Sequence, residues 1–170
     1  LASLQLDSSE KIEELNKKRF EKQTAYDILV AEDRELSDRI IELSGASIKS
    51  KELVSKHTNL VGLQSKIKGN LQRAEKEKTF FANNDVCPTC SQSIDSHFKE
   101  TRMGKLSIKC DTFNSGLDQM SSEIIKVLNS IEIAEEAVKK FNTAMNKQSI
   151  VRSSYKMIIA AMEAIDDEIE

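Results

Sequence analysis

Tryptophan is absent from this sequence, proline occurs once, glycine five times and cysteine three times in 170 residues, and aromatic side chains make up 5%. A globular domain of this length carries more aromatic bulk and more turn-forming residues, so the scarcity excludes a broad, loop-rich core and favours length over girth. No apolar run approaches the ~18 residues needed to span a bilayer. The N-terminus, Leu1-Ala2-Ser3-Leu4, has neither a basic segment nor a small-residue cleavage site. Export is therefore unsupported and a reducing cytoplasm is the expected location, where a C-x-x-C pair serves as a metal or redox element more often than as a structural disulfide. Charge of one sign is also missing. The 25 basic and 28 acidic residues are interspersed and leave a net charge of −3, which provides no electrostatic footprint for nucleic acid. The chain starts without Met and stops within a helical pattern at Asp166-Asp167-Glu168-Ile169-Glu170, as expected of a fragment of something longer.

What the sequence does contain is heptad periodicity. From Met103, apolar residues recur in alternating steps of three and four: Leu106, Cys110, Phe113, Leu117, Met120, Ile124, Val127, Ile131, Ala134, Val138, Phe141 and Met145. After Gln148 and Arg152 the phase resumes at Tyr155, Ile159, Met162 and Ile169. A repeat held this strictly predicts a left-handed coiled coil. In the first half, Ile12, Leu15, Tyr26, Leu29, Leu36, Ile40 and Leu43 keep one phase. Leu53, Leu60, Ile67 and Ala74 keep a seven-residue step offset by one. The phase changes near Gly45 to Ser50. Gly45, Gly62 and Gly69 each cost on the order of 1 kcal/mol in a helix interior, so this arm should bend or fray more readily, with a local break near Gly45.

Two long amphipathic helices joined by a short loop bury their stripes most economically against each other, because closure entropy grows with loop length. The expected fold is all-α: a long antiparallel intramolecular coiled-coil hairpin, with residues 1–82 as the ascending arm, 83–94 as the tip and 95–170 as the descending arm. Residues whose numbers sum to about 180 should then be neighbours, as with Leu60 and Met120 or Ile67 and Phe113. Arms of ~75 residues rising 1.5 Å per residue would reach roughly 110 Å. Local chemistry sets the same boundaries. Asn83-Asn84-Asp85 tolerate helix-terminal and turn conformations, and Pro88 cannot donate to a continuing helix. Asp95 is a good N-cap for a helix starting at Ser96, with Ile94 placed to pack back on it.

Cys87-Pro88-Thr89-Cys90 falls in that tip. Two intervening residues let both sulfurs face one side of a tight turn, while the amides of Thr89 and Cys90 can donate to the Cys87 sulfur and stabilise thiolate charge. Structural zinc takes four thiolate or imidazole ligands in a tetrahedron, so the missing ligands must come from His97, from Cys110 or from a second copy of the tip. Cys110 lies on the seam, ~22 Å along the second helix from its start, and reads as a small buried hydrophobe. His97 reads as a solvent-facing first-turn residue and His57 as a solvated arm residue. The second copy is the expectation, which gives one Zn2+ shared by two chains with Cys87 and Cys90 of each as ligands. A thioredoxin-like redox site would require a preceding strand and a βαβ context that these flanks lack. Lys66, Lys68, Arg73, Lys76 and Lys78 are interrupted by Glu75 and Glu77 and read as a solvated helix face. Neither a phosphate-binding loop nor a catalytic triad occurs, so no enzymatic activity is expected of this segment.

A C-P-x-C turn at the apex of an antiparallel coiled coil, followed by an Asp-capped helix, resembles the zinc hook of the SMC-like double-strand-break-repair ATPases, the large subunits of SbcC-type exonuclease complexes. Cys87, Pro88, Thr89, Cys90, Ile94 and Asp95 carry the resemblance. Ser91 stands where glycine often follows the second cysteine, a departure that extends the resemblance to phage-type recombination endonuclease subunits. The resemblance implies a homodimer joined through one shared zinc ion. It also implies a longer parent whose head domains, absent here, hydrolyse ATP and bind DNA and a nuclease subunit. The implied role is metal-dependent tethering of DNA ends. The other readings are a structural coiled-coil dimer with an incidental C-x-x-C, a dithiol redox switch between Cys87 and Cys90, and a DNA-binding arm.

Overall fold

The computed structural model describes the backbone of residues 2–170 and the side chains of residues 9–170. The fold is all-helical. Helix α1 spans Ala2–Leu43, α2 Ala46–Asn83 and α3 Ser96–Ile169. The expected break in the first arm is present and lies at Ser44-Gly45. Both the amide and the hydroxyl of Ser44 donate to the Ile41 carbonyl, at 3.2 and 2.8 Å. That tightened last turn satisfies a carbonyl that has lost its regular partner. Gly62 and Gly69 lie inside α2, which continues through both.

The chain divides into two compact units, Leu1–Ser47 with Glu135–Glu170, and Ile48–Ala134. In the second unit α2 packs antiparallel on the first part of α3. Leu71, Ala74, Leu106 and Cys110 form its buried cluster, with Phe81, Phe113 and Leu117 packed against it. Lys56 pairs with Glu123 at 2.8 Å, Gln64 Nε2 donates to Ser121 Oγ at 2.9 Å, and Lys78 Nζ donates to Ser107 Oγ at 3.2 Å. The numbers in each pair add to about 180, as the hairpin register predicts. These polar links sit beside the seam and are exposed or half-buried, so apolar burial carries the pairing and the solvent-screened ion pair adds little.

In the other unit α1 packs antiparallel on the last part of α3. Leu36, Ala144 and Val151 form a buried cluster with Leu29, Ile40 and Tyr155 around it. Tyr26 meets Tyr155 edge-on with ring centroids 6.0 Å apart. Asp33 accepts two hydrogen bonds from Arg152, at 2.7 and 3.4 Å.

This unit corrects the expected seam. Every seventh residue from Leu106 through Val127, Ala134, Gln148 and Tyr155 to Ile169 is buried or half-buried, but the companions of this line change. Before Phe141 they are Ile124, Ile131 and Val138; after it they are Ala144, Val151 and Ile158, while Met145 and Arg152 face solvent. Gln148 is therefore a seam residue rather than an interruption. It is 8% exposed, and its Nε2 donates to Ser37 Oγ at 2.7 Å and to the Asp33 carbonyl at 3.5 Å. Those partners are what make a buried amide tolerable there.

Candidate metal centre

Helix α2 ends at Asn83, and Asn84 Nδ2 donates back to the Phe80 carbonyl at 2.8 Å, closing the helix terminus. Asp95 caps α3 as its type predicts: Oδ1 accepts from the Phe98 amide at 2.8 Å, and its carbonyl accepts from the Lys99 amide at 2.9 Å. Between these ends a small antiparallel clamp closes the turn. Val86 and Ser93 form a bridge, the Ile94 amide donates to the Asp85 carbonyl, and the Cys87 amide donates to the Gln92 carbonyl, both at 2.8 Å. The Ser91 amide completes the turn by donating to the Cys87 carbonyl, also at 2.8 Å. Lys99 Nζ reaches across to Asp85 Oδ1 at 2.6 Å, and its ammonium holds the Asp85 carboxyl below the usual range.

The clamp brings Cys87 and Cys90 together. The Cys87 pKa is lowered, by the Cys90 amide first, then the Thr89 amide, then the Cys90 side chain, with a smaller contribution from the Thr89 side chain, against the opposite effect of partial burial. The two amides are the main-chain donors that the C-x-x-C spacing predicts. Cys90 is exposed and Cys87 half-buried. Two such thiols on one turn can ligate a soft divalent ion, which is bound as thiolate, or close to a disulfide.

Comparison with known protein families, curated proteins and solved structures finds no match for this chain.

The remaining candidates are placed elsewhere. Cys110 is 7% exposed and packs with Leu71, Ala74 and Leu106, as a small hydrophobe should. His97 is exposed in the first turn of α3, and His57 is half-buried in α2. Among the described residues, no group of three or more His, Cys, Asp or Glu side chains stands ready to hold a metal ion. The basic side chains near the tip belong to helix faces: Lys78 bonds Ser107, and on the opposite helix Arg102 bonds Glu77 at 2.6 Å. Among the described residues no helix is long and apolar enough to cross a membrane.

Two tip residues escaped sequence reasoning. Ser91 has φ of 59°, in the left-handed region that a serine gives no sign of entering. The Gln92 side chain lies against the Cys90 sulfur, with Oε1 at 3.6 Å, although a glutamine in a polar loop has no signature. The expectation of glycine after the second cysteine was the available signal for the first. Nothing local announced the second.

Proposed function

We propose that Cys87 and Cys90 form half of a tetrahedral zinc site that is completed by the same two residues of a second copy, so that one metal ion joins two helical tips. The observation that carries this reading is the backbone clamp that sets Cys87 and Cys90 on one turn, where the chain passes from α2 to α3 and the Cys90 and Thr89 amides lower the Cys87 pKa. A thiolate stabilised in this way is what a zinc ligand requires, and tetrahedral coordination requires four such groups where one tip offers two. Cys110 is committed to the core, and the exposed Cys90 leaves the open side of the pair accessible to another molecule.

On this reading the antiparallel helix pairs are coiled-coil arms and the turn is a zinc hook. The chain is the hook segment of an SMC-like double-strand-break-repair ATPase, SbcC-type or a phage counterpart. Dimerisation through the hook would tether DNA ends held by head domains outside this chain, with a nuclease subunit acting there. The test is metal stoichiometry. Mass spectrometry under native and denaturing conditions should find half a zinc ion per chain, carried by dimers. One ion per chain, or zinc retained by a monomer, sinks the shared site.

The contact of the Cys90 thiol with the Cys87 sulfur also favours a second reading, a reversible dithiol. That reading expects a Cys87–Cys90 disulfide forming and reducing in protein that holds no zinc.

A further inference from the structure

The fold serves the two tip cysteines unequally. At Cys87 the two largest influences lowering the pKa are main-chain amides, those of Cys90 and Thr89, with the side chains of the same two residues adding to them. The Cys90 sulfur has, apart from Cys87 itself, one hydrogen-bond partner among the described residues, and it is a side chain: Gln92 Oε1 at 3.6 Å. The Gln92 carbonyl meanwhile accepts the Cys87 amide at 2.8 Å. One residue thus touches both cysteines, with its main chain on the first and its side chain on the second.

The polarity of the second contact fits only the thiol. As S–H, Cys90 donates and Oε1 accepts. A metal-bound thiolate has lost that proton to solvent and can only accept, so an amide oxygen facing it would be repelled. The terminal torsion of glutamine is broad and roughly two-fold, and its amide carries two donors on nitrogen opposite the carbonyl oxygen. A half-turn about that torsion replaces S–H···O with N–H···S without moving the backbone clamp.

We propose that Gln92 is the positioning residue for the Cys90 thiolate, its side-chain amide turning to donate to that sulfur when zinc binds. The inference rests on the reading of Cys87 and Cys90 as zinc ligands. It assigns the outer-shell donor for Cys90 to a side chain, where the two largest contributions at Cys87 are main chain. Since a shared ion would meet Gln92 of both copies, each substitution acts twice per site.

The test is zinc affinity at fixed pH, by competition with a chromophoric chelator, for the wild-type chain, Gln92→Ala and Gln92→Glu. Removing such a partner typically weakens metal binding by 10- to 100-fold. Because Gln92 is exposed to water, the expected loss for Gln92→Ala is about 10-fold, at the lower end of that range. Gln92→Glu keeps the size and reach of the side chain but sets a carboxylate against the sulfur, so it should bind more weakly than Gln92→Ala. A merely structural role predicts the opposite order. With Co2+ as the probe, loss of the donor should also move the thiolate-to-metal charge-transfer band to longer wavelength. Affinities of both variants within twofold of wild type, or Gln92→Glu binding more tightly than Gln92→Ala, overturn the assignment while leaving a zinc-binding wild type intact. A wild-type chain that binds no zinc overturns the hook reading and this inference together.

Discussion

Replacing Ser91 by glycine should make the tip more stable, although glycine usually does the opposite. Ser91 has φ of 59°, and a left-handed backbone costs a residue with a Cβ roughly 1–2 kcal/mol. Glycine removes that penalty but loses more freedom on ordering, by roughly 0.5–1 kcal/mol. The difference leaves a net gain of about 0.5–1 kcal/mol, felt locally because the residue serves a local clamp. The assay is amide hydrogen exchange in zinc-free, reduced protein, read at Cys87, residue 91 and Ile94, whose N–H groups donate to Gln92, Cys87 and Asp85. A gain of that size raises their protection about two- to fivefold if exchange proceeds through opening of the clamp. Thr89→Gly is the control. Thr89 lies outside the positive-φ region, so its glycine variant brings the entropic loss together with loss of the side chain's small contribution at Cys87, and should lower protection about twofold or more. Protection in Ser91→Gly at or below wild type, or equal behaviour of the two variants, would show that the left-handed backbone at residue 91 carries no such penalty.

Three further outcomes are expected. Cys87→Ser combined with Cys90→Ser should keep its helicity by circular dichroism while losing zinc-dependent dimers in sedimentation; loss of most helicity would mean that metal folds the chain, as in small zinc fingers. Asp95→Ala should destabilise the second unit by ~1 kcal/mol in urea unfolding through loss of the cap on Phe98, and Asp95→Asn should retain most of the stability; equal losses would show that the cap is not what Asp95 supplies. In a Cys90→Ser, Cys110→Ser background, where the position-90 and Thr89 amides remain, Cys87 thiolate absorbance should rise at lower pH in the folded chain than in urea. Its folded pKa is lowered, so the stabilisation it brings is present above the unfolded thiol range and lost as pH falls through the folded value. Identical titrations would remove the amide donors from the argument. The same competition of protons for sulfur should weaken zinc-dependent dimers of the unmodified chain below neutral pH.

Features of the fold that depend on neighbours in sequence could be read from the sequence, and those that depend on a partner helix could not. Asp95 as cap, the tip between Asn83 and Ile94, the break at Gly45 and the burial of Cys110 all follow from residue type and local spacing. The seam after Phe141 does not. There Met145 continues the apolar repeat on paper while Ala144 and Val151 are buried, and Gln148 looks like an interruption. Its place in the seam depends on Ser37 and the Asp33 carbonyl, which lie 111 and 115 residues away. At the tip, the amides serving Cys87 follow from the C-x-x-C spacing, whereas the Gln92 contact depends on a side-chain rotamer that no spacing rule specifies.

The sequence distance between partners also sets an order of assembly. In the second unit the closing contacts span 14 residues at Lys99 and Asp85 and 29 at Lys78 and Ser107. In the other unit Arg19 meets Asp166 across 147. Loop closure rises with the logarithm of that span, so short-range contacts form first and the long ones follow once intervening residues are already ordered. During synthesis α1 emerges before α2 and α3, yet it has no partner until the final stretch of α3 is made. The turn carrying Cys87 and Cys90 should therefore be complete while the apolar stripe of α1 is still uncovered, an order that pulse-labelled hydrogen exchange during refolding would reverse if it were wrong. For that interval Leu15, Leu29 and Leu36 are exposed to whatever else is present, so of the three helices α1 is the one most in need of a chaperone.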